Sequence, residues 1–384
     1  MISMIRNKYL TLIGAGLLFT AVSCTDGYEP EPVELVSIDF VFSKTDSLGT
    51  NAVKFMNNIY ATLQNGHNRV GSDYLDAASD DAISINVSDP DVYKLAMGRY
   101  TASTRVESDM RWKEYYSGIR KANILINHID VVPFMLTYKN AKGETKPLNV
   151  TMKAEARFLR AYFYFELVKR YGGVPLIDKS QEYDPNNLEA LMVPRNKEIE
   201  IYDFIIKECQ EAAQDLPDTR EAEAKYRASK YVAISLCSRA ASYAGSIARY
   251  GTVQQEGLVG IPASEADRFF QTSYEASKAI ITSGKYALYN NKPDNKAQNF
   301  CDMFLKGNGD NGEYIFQKQY NVAGGKGHDW DKRNAPFSYR AGGWGCGIAP
   351  TLELVEAYEY VDGSKGTLKL EENGKPLRLS LIHI

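Results

Sequence analysis

The chain has 384 residues, a formal net charge of −3, 44% hydrophobic residues and 24% charged residues. That length is enough for one large core or two smaller ones, and a slightly acidic balance with no basic stripe excludes a nucleic-acid binder. Tyrosine, at 26, outnumbers phenylalanine at 15 and tryptophan at 3; a ring with a hydrogen-bonding tip suits helix arrays and wet binding surfaces alike.

The N-terminus points to export. Arg6 and Lys8 precede a short apolar run, Leu10 to Val22, too short to span a bilayer as a stable helix. Ala21 and Ser23 then lead to Cys24. This layout predicts a lipoprotein signal peptide over residues 1–23 with Cys24 as the acylated residue. Ala21 stands where the usual lipobox has Leu, and the alternative is an ordinary secretory signal with an incidental cysteine. Residues 24–50 form a tether and N-terminal segment; the acidic, proline-containing start from Thr25 to Pro32 cannot pack. Asp26 is similar to the acidic export signal of surface-exposed lipoproteins.

From residue 51 the pattern is helical. Val53, Met56, Ile59, Tyr60 and Leu63 share one face of a helix predicted over Asn51 to Gln64. Gly66 to Pro90 is polar and reads as loop. It carries Asp73, Asp76, Asp80 and Asp81, which as a carboxylate pair could serve glycosidic hydrolysis. They lack an EF-hand pattern for calcium, and a solvated Asx-rich turn region is the preferred reading of them. Asp109 to Val131 repeats Trp112, Tyr115, Tyr116, Ile119, Ala122, Asn123, Ile126 and Ile129 at helical spacing, which assigns Trp112 to the core. Pro133 ends that helix, and residues 134–150, with the breakers Gly143 and Pro147, connect it to the next.

The stretch from Lys153 to Ile177 organises the chain. Phe158, Leu159, Ala161, Tyr162, Phe163, Tyr164, Phe165, Leu167 and Val168 go right round the helix axis, so this helix is expected to be buried on all sides. Gly172 and Gly173 supply a permissive C-terminus and Pro175 forbids continuation. Arg157 and Arg160 fall on an apolar face, where one of them needs a carboxylate partner. Three more helices follow: Ile199 to Leu216, closed by Pro217; Lys225 to Tyr250, whose many Ala, Ser and Gly residues allow close helix approach; and Ser264 to Ser283, with Ser264 as a capping residue and Gly284 as the stop. This weak repeat of helix pairs predicts a mostly α, tetratricopeptide-like superhelix with minor β and irregular segments.

Beyond Gly284 the texture changes. Tyr286, Leu288 and Tyr289 suggest an extended segment, as does the alternation after the polar turn at residues 308–313. Asn321 to Gly347 is glycine-rich and carries Trp330, Phe337, Tyr339, Arg340 and Trp344. A short helix is expected within Pro350 to Gly363. The cysteines Cys209, Cys237, Cys301 and Cys346 show no CxxC spacing; Cys209 and Cys237 lie in helical patterns and are expected to be buried free thiols. His67, His128, His328 and His383 lack metal-ligand spacing, so neither a metal nor another cofactor is expected.

The stretch FLRAYFYFELVKRYGGVPLI, residues 158–177, closely resembles the signature of the SusD/RagB family of outer-membrane nutrient-binding lipoproteins. Similar matches are the W-x-x-x-Y-x-x-I-x-x-A-N pattern from Trp112, RASKYVAISLCSRAASYAG from Arg227, AIITSGKYALYN from Ala279, NGEYIFQKQY from Asn311 and PTLELVEAYEYVDG from Pro350. The resemblance covers roughly Cys24 to Gly363. It divides the rest of the chain into a helical region at 51–284 and a loop-rich region at 285–363. Residues 364–384 depart from the family pattern and read as a truncated C-terminus. The resemblance implies a cell-surface lipoprotein, lipid-anchored in the outer membrane. It would capture an oligosaccharide or polysaccharide without catalysis and hand it to a SusC-like TonB-dependent transporter. A peptide-binding member of the same family, a surface enzyme using the Asp-rich loop and a repeat scaffold that binds only protein are the competing readings. Since sugars present flat C–H faces bordered by hydroxyls, the aromatics left in irregular sequence are the expected platform. These are Trp330, Phe337, Tyr339 and Trp344, beside Asp329, Asn334 and Arg340, with Asp80 and Asp81 as polar partners; Trp330, Tyr339, Arg340, Trp344, Asp80 and Asp81 are the expected ligand contacts.

Overall fold

The computed structural model describes residues 37–65, 75–84, 90–101, 103, 107–220, 224–305, 312–321, 323–325, 327–328, 330, 334–335, 337–339, 347–359 and 363–366. The signal peptide, Cys24, most of the tether, Arg340, Trp344, Cys346 and the C-terminal residues 367–384 lie outside these. Up to Val41 the chain forms a separate unit in which Ile38–Val41 makes a single helical turn. Phe42 onward forms a larger unit, and all that follows concerns it.

That unit is mostly helical. Its elements in chain order are α1 (Thr50–Tyr60), β1 (Ala82–Ser84), α2 (Pro90–Ala96), α3 (Trp112–His128), β2 (Thr137–Lys139), β3 (Thr145–Pro147), α4 (Leu148–Tyr171), α5 (Glu198–Asp215), α6 (Lys230–Tyr250), α7 (Ala266–Thr282), α8 (Lys296–Leu305), β4 (Ile348–Pro350) and α9 (Leu352–Ala357). Helices α3 to α7 pack in sequence order, each on the next. That succession is the helix-pair superhelix expected from the repeat. Among the described residues no helix is long and apolar enough to cross a membrane.

Helix α4 is the centre of the array. Phe158, Leu159, Ala161, Phe163, Tyr164, Phe165, Leu167 and Val168 are each at most 1% exposed, because α3 and α5 pack along it while α1 and α6 also touch it. Burying one such phenylalanine or leucine contributes about 1.5–3 kcal/mol. The helix ends where Gly172 adopts φ +67° and donates its N–H to Val168 O at 3.0 Å. A Cβ on the following Gly173 would stand 2.0 Å from the main-chain oxygen of Asn196. The glycine pair therefore both stops the helix and admits a neighbouring strand of chain. Between α6 and α7 the small residues act as expected: Ala240, Ala241 and Ala244 are buried, and Phe270 fills the space where Gly245 lacks a side chain.

One arginine of α4 is buried, as the apolar face requires. Arg160 donates from Nε (2.9 Å) and Nη2 (2.5 Å) to Glu208 Oε2 of α5. Its Nη1 bonds Asn123 Oδ1 of α3 and the Asp178 carbonyl, both at 2.7 Å. Arg157 is half-exposed and pairs with Glu211. Cys209 and Cys237 are buried free thiols; burial pushes the Cys237 thiol up to about 11.

Several local expectations are corrected. Trp112 is not core: it begins α3 with 39% of its surface exposed, its ring leaning on Tyr116 and Tyr171 at the array's margin. The helix predicted from Asp109 is interrupted at Arg111, whose φ is +44°, and the preceding turn Glu107–Met110 presents Asp109 to Arg170 at 2.7 Å. Residues 134–150 are not a plain connector, since β2 and β3 pair antiparallel there. Within the presumed loop before Pro90, β1 pairs with β4. Ser264 sits in a 3₁₀ turn and α7 is capped without a side-chain bond. Helices α2 and α8 were not expected; α2 opens with Pro90 and Asp91, residues suited to a first turn.

Candidate functional site

The cleft at the end of α1 is assembled mainly from three segments, with Gly325 and Gly327 completing the lining. The first is α1's last turn with Ala61 to Asn65. The second is the turn leading into α6, which carries Tyr226 and Arg227. The third is the extended segment Tyr314 to Tyr320. That segment forms no strand; side chains pin it to the array. Phe316 meets Phe158 of α4 edge to face at 5.6 Å between ring centres. Lys318 Nζ donates to Leu63 O at 2.6 Å and to Asn65 Oδ1 at 2.9 Å, and the Tyr320 hydroxyl also reaches Asn65 Oδ1, at 3.1 Å. The period of two in extended chain puts Phe316, Lys318 and Tyr320 on a common side.

Beneath the cleft lies a buried carboxylate, Glu155 of α4, 1% exposed. It accepts from the Tyr60 hydroxyl at 2.7 Å and from Arg220 at 2.7 Å, with Arg227 at 3.5 Å. Tyr60 in turn accepts the N–H of Ala228 at 2.9 Å. Its hydroxyl is held well above the ordinary tyrosine range, first by burial and then by the Glu155 charge. Arg227 also bonds Asn57 Oδ1 at 2.6 Å. One acid therefore locks α1, α4 and the turn before α6 into a fixed floor.

The resulting space is about 560 Å³, a size that suits a small ligand. Tyr60, Tyr226, Phe316 and Tyr320 give it aromatic surface, while Asn57, Asn65, Gln317 and Gln319 supply amide donors and acceptors. Rings and amides in one cleft match an amphipathic polyol: aromatic planes take C–H faces and amides take hydroxyls. No aspartate or glutamate lines it among the described residues, and these residues contain no cluster of His, Cys, Asp and Glu able to hold a metal.

The residues expected from sequence are placed as follows. Gly325 and Gly327 of the glycine-rich loop line the cleft, and His328 packs edge-on against Tyr320 at 5.0 Å. Trp330 follows two residues on, 48% exposed, its N–H on His328 Nδ1 at 3.3 Å. Tyr339 is 81% exposed in a 3₁₀ turn. Arg340 and Trp344 lie outside the described residues. Asp80 and Asp81 use their carbonyl groups: both accept the Thr351 hydroxyl, and Asp81 O takes the Thr351 N–H at 3.0 Å. This anchors them beside β4 and the start of α9, with exposed side chains. Reasoning from sequence missed Asn57, Tyr60, Tyr226, Phe316 and Tyr320. The alternation in residues 314–320 could have flagged the last two, whereas nothing local marks Asn57 or Tyr226.

Comparison with known proteins bears on the family and the fold. A family profile, SusD-like_3, described as "Starch-binding associating with outer membrane", matches residues 44–241. The SusD-like protein P38 of Formosa agariphila is 28% identical over 215 residues, 55% of this chain and 37% of that protein. A crystal structure of a SusD-like protein from Bacteroides fragilis superposes with a TM-score of 0.64 at 25% identity, over 87% of this chain and 57% of the other. A SusD-like carbohydrate binding protein from the same organism shares the fold, with a TM-score of 0.58 at 22% identity, over 83% of this chain and 54% of its own. The chain thus spans about two-fifths of the length of the curated relative it matches. With the profile covering more than half of its residues and the same helical array found in the solved relatives, the chain belongs to the SusD-like family.

Proposed function

We propose that this protein is a non-catalytic glycan-binding lipoprotein of the cell surface, anchored in the outer membrane through Cys24. It captures oligosaccharide in the cleft at the end of α1 and hands it to a SusC-like TonB-dependent transporter. The observation that carries the reading is the joining of four aromatic rings and four amide side chains around a space of about 560 Å³. The family description, starch-binding and associating with outer membrane, supports it, as does the carbohydrate-binding relative of the same fold. Trp330 and Tyr339, both exposed, are proposed as further contacts, together with Asp80, Asp81 and, outside the described residues, Arg340 and Trp344. A hydrolase would need an acid and a base facing one bond, and the described lining offers no carboxylate.

Calorimetric titration of oligosaccharides into the full chain, paired with an assay for released reducing ends, tests the proposal. Tyr320→Ala and Trp330→Ala should each weaken binding by about 2 kcal/mol if they are binding hot spots, with unchanged circular dichroism and no sugar release. Wild-type affinity in both variants would place the site elsewhere, and release of reducing ends would replace the binding role with catalysis.

A further inference from the structure

A second cavity lies between α3 and the segment that follows the end of α4, with a lining drawn from residues 113–123 and 177–181, all of them described. Side chains from the helices hold that segment down. Tyr116 donates its hydroxyl to Pro175 O at 2.8 Å, and the buried Asn123 donates its amide to Ile177 O at 2.9 Å and Lys179 O at 3.1 Å. Arg160 engages Asp178 O at 2.7 Å, and the Asn127 amide reaches Ser180 Oγ at 2.7 Å. The walls are thus fixed without a ligand, and four carbonyl oxygens of the segment are already taken by donors. The lining itself is rich in cations. Lys113, Ser117 and Arg120 stand at i, i+4 and i+7 of α3, on a common helix face, while Lys179 and Gln181 come from alternate positions of the segment. The Lys113, Arg120 and Lys179 side chains have no hydrogen-bond or ion-pair partner among the described residues. The acids of the same stretches, Glu114, Asp178 and Glu182, are exposed and are not part of the described lining.

We infer that this cavity binds a phosphate or sulfate ester, at a site separate from the cleft at the end of α1. Two walls contribute three cations, which suits the outward oxygens of a tetrahedral ester better than the two oxygens of a planar carboxylate. Arg120 offers a donor fork and the two lysines offer point charges, so each contact is a charge-assisted hydrogen bond. Ser117 and Gln181 add neutral donors. The space is about 320 Å³, room for the ester group together with the carbon skeleton beside it. Ile177 and the Tyr116 ring, both in the lining, give that skeleton apolar contact.

The test titrates glucose 6-phosphate, glucose 6-sulfate and unmodified glucose into the full chain at low ionic strength, where exposed cations are least screened. In parallel, the protein is co-sedimented with phosphatidylcholine vesicles that contain or lack phosphatidic acid. Each ester should bind at least about tenfold tighter than glucose. Arg120 and Lys179 are exposed, so Arg120→Gln and Lys179→Gln should keep the parent's circular dichroism, and each should weaken ester binding about tenfold, the loss of one hydrogen bond to a charged group. Lys207→Gln removes an exposed lysine of α5 and should leave ester binding unchanged. Recruitment to vesicles that requires phosphatidic acid and is lost in the Arg120 and Lys179 variants supports the site with a lipid headgroup as its source. Ester binding without recruitment supports it with a soluble ligand. No preference for the esters over glucose, ester affinity untouched by both variants, or an equal loss in Lys207→Gln overturns the site.

Discussion

Replacing Arg160 by Met should show how much of the fold depends on one buried charge. Arg160 and Glu208 have side chains 5% exposed each, so neither ion can rehydrate when the other is lost. Without Arg160, Glu208 keeps only Arg157 at 3.5 Å, a residue with a third of its side chain in solvent. An uncompensated carboxylate of this kind costs about 3–5 kcal/mol. Asn123 Oδ1 and the Asp178 carbonyl also lose their 2.7 Å donors, each worth about 1–3 kcal/mol when left unsatisfied. The methionine recovers part of this by filling the space against Phe204, over whose ring the guanidinium sits at 5.3 Å. A net loss of about 3–5 kcal/mol is expected, a large share of the 5–15 kcal/mol that an ordinary domain commands (roughly). Urea unfolding followed by circular dichroism would read it as a lower midpoint at constant slope. The pair Arg160→Met with Glu208→Leu should regain most of the charge penalty, leaving the cost of the two orphaned acceptors, about 1–3 kcal/mol each, less what the two apolar side chains recover by packing. A single-variant change within about 0.5 kcal/mol, the range of ordinary surface substitutions, would refute the burial argument.

Gly173→Ala should cost about 1–3 kcal/mol by overpacking, because its Cβ meets the Asn196 carbonyl at 2.0 Å; an unchanged urea midpoint would show that the loop yields. Burial holds the hydroxyls of Tyr60, Tyr115, Tyr164 and Tyr202 above the ordinary tyrosine range. The unfolded chain ionises these groups near pH 10 (about), so their stabilising contribution is complete below that pH and is lost as pH rises beyond it. Tyrosinate absorbance should then appear in two phases, the second coinciding with loss of helix; a single phase near pH 10 with the helix intact counts against this. Cys24→Ala should abolish incorporation of labelled fatty acid and release the protein from the membrane fraction, and continued labelling would exclude Cys24 as the anchor.

The helical array was legible because its signals are local. The all-round apolar pattern from Phe158 to Val168 can only be a buried helix, and Gly172, Gly173 and Pro175 stop it for reasons confined to a few residues. The need of Arg160 for an acid was legible too, but not that Glu208 supplies it from 48 residues away. Trp112 was misjudged because helical spacing says which face a residue shares and not whether a neighbour covers that face. The two small ladders escaped notice, since three-residue strands carry no usable alternation and one pairs across most of the chain. The cleft was hardest to foresee. Tyr60 sits on the same face as buried Met56 and Ile59, and only the distant arrival of Phe316 and Tyr320 makes that edge a site.

The pairing of β1 with β4 has a kinetic meaning. The Thr351 bond to Asp80 spans 271 residues, so the clasp closes a ring containing nearly the whole helical array. Ring closure costs entropy that grows as the logarithm of length, about 0.6 kcal/mol per doubling, and three residue pairs return little of it. The clasp is thus a late event: helices that meet neighbours in sequence assemble first, and they shorten the gap that remains. With three residue pairs, it is expected to open more readily than the packed helices. Asp80 and Asp81 ride on it, so the turn that carries them is a latch whose registry with α9 is set only once the rest of the chain has folded.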